Sequence, residues 1–109
     1  MRLPKSVKVG DTVYAVQAVR ALADDDGKPL HGLALHDECR LKINADDSAE
    51  RQRWALIHEL AHAVFHESGM GHEMSALIGA ERADALEEDI VRRVVPELLR
   101  ALKDAKVIR

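Results

Sequence analysis

The segment Trp54-Ala55-Leu56-Ile57-His58-Glu59-Leu60-Ala61-His62-Ala63-Val64-Phe65-His66 holds three of the chain's six histidines. His58 and His62 stand four residues apart, so on a helix both rings leave one face, one turn apart. That spacing lets two imidazoles reach one zinc ion at about 2.0–2.1 Å. Glu59 follows the first histidine and points roughly 100° further round the helix. A carboxylate there stands beside the metal without having to ligate it, and can take a proton from water on the metal. The pattern predicts two zinc ligands, His58 and His62, and beside them a general base, Glu59. The bare HExxH spacing also occurs on ordinary amphipathic helices with surface His and Glu. Here the two histidines share their face with Trp54, Ala61 and Phe65, the face expected to be buried, and buried histidines need partners that a metal would supply.

A third protein ligand must come from elsewhere. A metzincin would continue with Gly and a third His at fixed offsets, but Phe65 and Ser68 occupy those places, so that class is excluded. His66 lies two turns, about 12 Å, along the axis from His58, too far to share its metal. It reads as a neighbour that hydrogen-bonds near the site, or as a helix-end histidine beside the last carbonyls. The next acidic group is Glu87-Glu88-Asp89. Helical phase leaves its members open: Glu87 aligns with Val91, Val94 and Leu98, and Glu88 with Val91, Val95 and Leu99. Acidic residues are also common at a helix N-terminus without any metal. An oxyanion formed during acyl transfer needs a further donor, for which His66, His72 and Tyr14 are the candidates.

These residues need elements to position them. In the first half, Val7, Val9 and the run Val13 to Val19 alternate with polar residues around Gly10-Asp11, as in a hairpin or bent strand. Gly32 to His36 and Cys39 to Asn44 form a second extended pair, with Leu41 and Ile43 alternating with Arg40 and Lys42. A small antiparallel sheet is expected. In the second half, Asp47-Ser48-Ala49-Glu50 fits a capping box with Asp47 as N-cap, and Gly69 is placed to end the helix that follows. Asp84-Ala85-Leu86-Glu87 repeats the capping pattern. Ile90, Val91, Val94, Leu98, Leu99 and Leu102 then recur at helical spacing, and Pro96 should kink or break that helix. The expected organisation is one α+β domain over residues 1–109. Residues 1–46 are mainly strands, 47–68 the HExxH helix, 69–83 a loop with a short helical piece near Ser75 to Gly79, and 84–106 a C-terminal helical region.

Composition narrows the functional classes. The chain has 109 residues, with 16 Lys+Arg against 19 Asp+Glu. This balance argues against a protein built to grip nucleic acid or an anionic membrane. The basic residues Arg92, Arg93, Arg100, Lys103 and Lys106 are interrupted by Glu97 and Asp104, as on a solvated helix face. The single cysteine, Cys39, permits no intrachain disulfide and no thiolate cluster, so any metal must be held by His and carboxylates. No stretch has the length or hydropathy of a signal peptide or a membrane span, and a cytoplasmic protein is expected.

With these residues in place, the chain resembles the ImmA/IrrE metallopeptidases, and more narrowly their short phage and prophage members. The resemblance rests on His58-Glu59-Leu60-Ala61-His62 with His66, and on Glu88 three residues before Val91. Leu41-Lys42-Ile43-Asn44 fills the role of the family's strand, and Arg51-Gln52-Arg53 that of its polar lead-in to the helix. It covers roughly Gly32 to Leu102. Val91 and Arg92 replace the Ala-Asn usual in longer members, and the additional domains of those members are not expected here. The resemblance implies a minimal zincin-like fold of the gluzincin kind, with Glu88 as third zinc ligand and Glu87 in reserve. It also implies an edge strand near Leu41 to Asn44 that pairs with an extended substrate. The implied activity is zinc-dependent hydrolysis of a protein or peptide substrate, such as a transcriptional regulator or repressor of a phage or mobile element. The competing reading is a zinc-stabilised protein-binding module without proteolysis, for which Glu59 would not be required.

Overall fold

Leu41 and Ile43 are fully enclosed, which requires the strand that carries them to be paired on both sides and covered on one face. A computed structural model describes residues 3–108 and shows how this is done. Four strands form one sheet: β1 (Ser6–Val9), β2 (Thr12–Val19), β3 (Gly32–Leu35) and β4 (Arg40–Asn44). Their spatial order is β1-β2-β4-β3. β1 and β2 are an antiparallel hairpin closed by Gly10-Asp11, with Val9 opposite Thr12. β3 and β4 are also antiparallel, joined by a single 3₁₀ turn over His36–Glu38. β2 and β4 pair in parallel.

The fold is therefore α+β, but the sheet is mixed where a wholly antiparallel one was expected. Alternation of apolar residues reports that a strand has one covered face; it carries no information on strand direction. A second correction follows from the order. β4 is an interior strand, so the open edge on that side belongs to β3 and not to Leu41–Asn44. The amide of Asn44 donates to the carbonyl of His31, which makes Gly32 and Ile43 a non-hydrogen-bonded pair. By the same alternation Ala34 and Leu41 are another. The backbone N–H and C=O of Gly32 and Ala34 thus point away from β4, toward the unpaired edge.

Three helices follow: α1 (Ala49–Glu67), α2 (Met70–Ile78) and α3 (Ala80–Asp104). The described chain divides into two compact units, one ending at Ser68 and one beginning at Gly69. In the first, α1 lies on the sheet. Its Ala55, Leu56 and Ala63 join Val9, Tyr14, Leu41 and Ile43 in the core, with Leu60 packed partly against it. Ser48 is the N-cap, its Oγ accepting from the amide of Arg51. That displaces Asp47 from the expected capping role, and Asp47 instead accepts from His31. Gln52 Nε2 donates to the carbonyl of Asp47 at 2.8 Å. Buried Asn44 joins the end of β4 to its surroundings, donating to Leu30 O and accepting from the Asp46 amide.

In the second unit, α2 and α3 pack on each other, and Ala83 and Val91 are its buried residues. Gly69 takes a positive φ of 80° just past α1, a conformation that suits glycine. α2 occupies residues for which a loop was expected. α3 begins at Ala80, four residues before the anticipated cap, and passes through Pro96 without a break. Proline there removes one backbone hydrogen bond, which does not end a helix of 25 residues. No helix among the described residues is long and apolar enough to cross a membrane.

Leu41 stands at the centre of this packing. Leu41→Ala is expected to lower unfolding stability by about 2–5 kcal/mol, measured by urea denaturation with an unchanged m-value.

Candidate metal centre

The first unit sets His58 and His62 toward one point. Their Nε2 atoms are 3.3 Å apart, with ring planes at 66°. A tetrahedral ion with bonds of ~2.0–2.1 Å separates two ligand nitrogens by roughly 3.3–3.4 Å. The observed spacing is therefore that of two corners of a zinc tetrahedron. Both rings are half-buried, as are Trp54, Ala61 and Phe65 beside them. The fully buried face of α1 is the neighbouring one, carrying Ala55, Leu56 and Ala63. The expectation that the histidines share the buried face is thus corrected: they flank it. This leaves them supported by the core yet reachable.

Glu59 projects toward β3. The edge-strand backbone at Gly32 lies directly against its side chain: a Cβ built on Gly32 would be 2.8 Å from Glu59 Cγ. The carboxylate is therefore held beside an open strand edge, one residue from a candidate ligand. Carboxylate and converging imidazoles together can bind a divalent cation and move a proton next to it.

Two of the suggested oxyanion donors meet in another cluster at the end of α1. Tyr14 is fully buried in β2, and its hydroxyl donates to Glu67 Oε2 at 2.9 Å. Thr12 Oγ1 donates to Glu67 Oε1 at 2.5 Å. The hydroxyl of Tyr14 also lies 3.4 Å from His36 Nδ1. His36 stacks on His66, with centroids 4.4 Å apart and planes within 9°. Burial, reinforced by the hydrogen bond to Glu67, pushes the Tyr14 phenol well above the ordinary tyrosine range. Glu67 moves the other way: the hydrogen bonds from Thr12 and then Tyr14 hold its carboxyl below the usual value. The Tyr14 proton is thus committed to Glu67, and His66 to His36. His72, the third candidate, is exposed on α2.

In the second unit, Glu87 and Glu88 are both half-buried and lie two turns into α3, so Glu87 does not cap Asp84. Glu88 Oε1 is 3.6 Å from Arg92 Nη2, one turn on.

Several residues around the site were not singled out from the sequence. Glu67 looks like any acidic residue near a helix end, and only its opposite strand reveals its role. Gly32 looks like no more than the first residue of an extended run. His31, otherwise unexplained, places Nδ1 2.8 Å from Asp47 and Nε2 3.2 Å from Arg51 Nη1. Because the arginine can only donate, His31 Nε2 accepts and Nδ1 carries the proton. The Arg51-Gln52-Arg53 stretch thus partly serves to fasten the start of α1.

The lowered Glu67 carboxyl gives a pH dependence with a definite sign. Its contribution to stability is complete above the ordinary carboxylate pKa and is lost as pH falls through the lowered value. Tyr14, raised, contributes below the ordinary tyrosine pKa and loses that contribution as pH rises above it. Glu67→Gln should therefore flatten the acid limb of a Tm-against-pH curve; an acid limb identical to wild type would exclude this role.

A family model described as the IrrE N-terminal-like domain, peptidase family M78, matches residues 18–93. No curated protein and no solved structure matches the chain.

Proposed function

The chain belongs to the IrrE N-terminal-like family of M78 peptidases, and from that premise we propose that it is a zinc-dependent metalloendopeptidase. The observation that carries the reading is the convergence of His58 and His62 Nε2 at 3.3 Å, with Glu59 adjacent. In line with the family resemblance, we propose that Glu88 is the third ligand, in preference to Glu87. Zinc bound there would polarise a scissile carbonyl and acidify a water molecule. The remaining chemistry falls to the chain's own groups. Glu59 takes the water proton on its carboxylate and passes it to the leaving amine. The outward N–H and C=O groups of Gly32 and Ala34 align an extended peptide along the edge of β3, so its backbone runs past Glu59. Extended backbone is recognised this way with little regard to side chains, which suits a substrate that exposes a flexible segment. In line with the family resemblance, the substrate we propose is a regulatory protein, such as a repressor of a phage or mobile element.

Metal analysis of the purified protein should find about one zinc per chain, and His58→Ala or His62→Ala should abolish it; undiminished occupancy in either variant would refute the site. Glu88→Ala should weaken zinc binding by orders of magnitude while Glu87→Ala leaves it near wild type. Glu59→Gln should retain zinc and lower kcat by roughly 10²–10⁴-fold, the usual worth of a positioned general base. Full biological effect from Glu59→Gln would instead favour a zinc-stabilised binding module.

A further inference from the structure

Gly32 lies against the side chain of Glu59, yet its backbone does not require a glycine. Its φ is outside the left-handed region, unlike Gly10, Gly27, Gly69 and Gly79. It is paired in an ordinary antiparallel register with Ile43. Gly32 opens β3, and a glycine within a strand often marks a close approach by another group. The group here is Glu59. A Cβ on Gly32 would lie 2.8 Å from Glu59 Cγ, 3.0 Å from Oε2 and 3.2 Å from Cδ. All three atoms belong to one side chain, and no other contact is nearer.

We propose that Gly32 is a positioning residue for Glu59: the missing side chain on the edge strand is the space in which the catalytic carboxylate is held. The inference rests on the reading of Glu59 as general base. Any larger residue at position 32 drives the carboxylate out of that space by rotation about its χ angles. The three atoms nearest a side chain at position 32 all belong to Glu59, so the displacement falls on the carboxylate and not on the ring nitrogens of His58 and His62. The metal is retained and the proton acceptor is misplaced. Gly32 serves the reaction twice in this arrangement. Its N–H and C=O face the substrate edge, and its bare Cα lets the base stand flush against that edge.

A double-mutant cycle on the full chain tests the contact without relying on activity. Thermal unfolding is followed in EDTA, so that metal does not contribute. Gly32→Ala should lower Tm in the wild-type background. In the Glu59→Ala background the added methyl meets no carboxylate, so Gly32→Ala should leave Tm unchanged or raise it, since alanine has less freedom to lose on folding. Equal shifts in the two backgrounds would overturn the proposal. The second readout separates positioning from packing. Zinc-loaded Gly32→Ala should keep the wild-type zinc content. On a quenched fluorescent peptide cleaved by the wild type, kcat should fall about 100-fold while KM stays within about twofold. An undiminished kcat would also overturn it. If the cycle shows coupling but the wild type hydrolyses no peptide or protein, the contact stands and the peptidase reading fails.

Discussion

The rotational setting of α1 about its own axis is the constraint on which the site depends. His58, Glu59 and His62 occupy less than a third of the helix circumference, next to the face that carries Ala55, Leu56 and Ala63. A rotation of one residue, about 100°, would carry the histidines into the sheet or turn them away from Glu59's place on β3. Apolar packing alone is a weak guard against such slippage, because small side chains like alanine fit several settings. The polar contacts at the two ends supply what packing does not. At the start, Gln52 Nε2 donates to the carbonyls of Ala45 and Asp47 just past β4, and Arg51 donates to His31 just before β3. At the finish, Glu67 takes two hydrogen bonds from Thr12 and Tyr14 of β2. Both ends of a 19-residue helix are thus keyed to the sheet, and the ligand pair between them inherits that register.

The sheet's topology is the second half of the same arrangement. β4 is the strand that α1 must cover, and it can be buried only if both its edges are paired. β2 supplies one edge in parallel and β3 the other in antiparallel fashion. This leaves β3, a strand of four residues, as the edge on the Glu59 side. A short edge strand with outward hydrogen-bonding groups is normally a hazard for unwanted association. Under the proposed function the same edge, lying against Glu59, would serve as a docking rail, and its shortness limits how much chain it can recruit. The same requirement, a buried β4, therefore creates the surface on which the proposed chemistry runs.

How much of this the sequence disclosed depends on whether the signal was local. The convergence of His58 and His62, the Glu59 beside them, the hairpin at Gly10-Asp11 and the helix end at Gly69 are local, because each is set by spacing or by one residue's conformational preference. The α+β class followed from the change of period between the two halves. Strand direction did not: Leu41 and Ile43 alternate equally well in parallel and antiparallel sheets, so β4 could not be told from an edge. Pro96 suggested a break because the sequence shows the missing donor but not the long run of intact turns on either side. The capping box at Asp47 was read one residue early because Asp and Ser are both good caps, and only the pairing of Asp47 with His31 decides between them. Glu67 and Gly32 were illegible for a shared reason. Their roles lie in what faces them across the fold, Tyr14 for one and Glu59 for the other.

The histidines show why spacing is necessary and not sufficient. His58, His62 and His66 are successive members of one four-residue repeat, so spacing alone offers two pairs, and only Glu59 marks the first. The rings separate them. A metal binds in the plane of an imidazole, along the nitrogen lone pair, so two rings can share an ion only if their planes intersect at it. The planes of His58 and His62 meet at 66° with the Nε2 atoms at a tetrahedral edge length. His66 has turned from that row to lie on His36, with planes 9° apart. Lone pairs in near-parallel planes run side by side and do not meet, so that pair is unsuited to chelation. Stacking instead places two rings next to the Glu67 carboxylate, His66 Nε2 being 3.8 Å from Oε2. One repeat thus serves two ends: its first pair faces the site, and its last member joins the polar cluster that holds the helix at the angle the first pair needs.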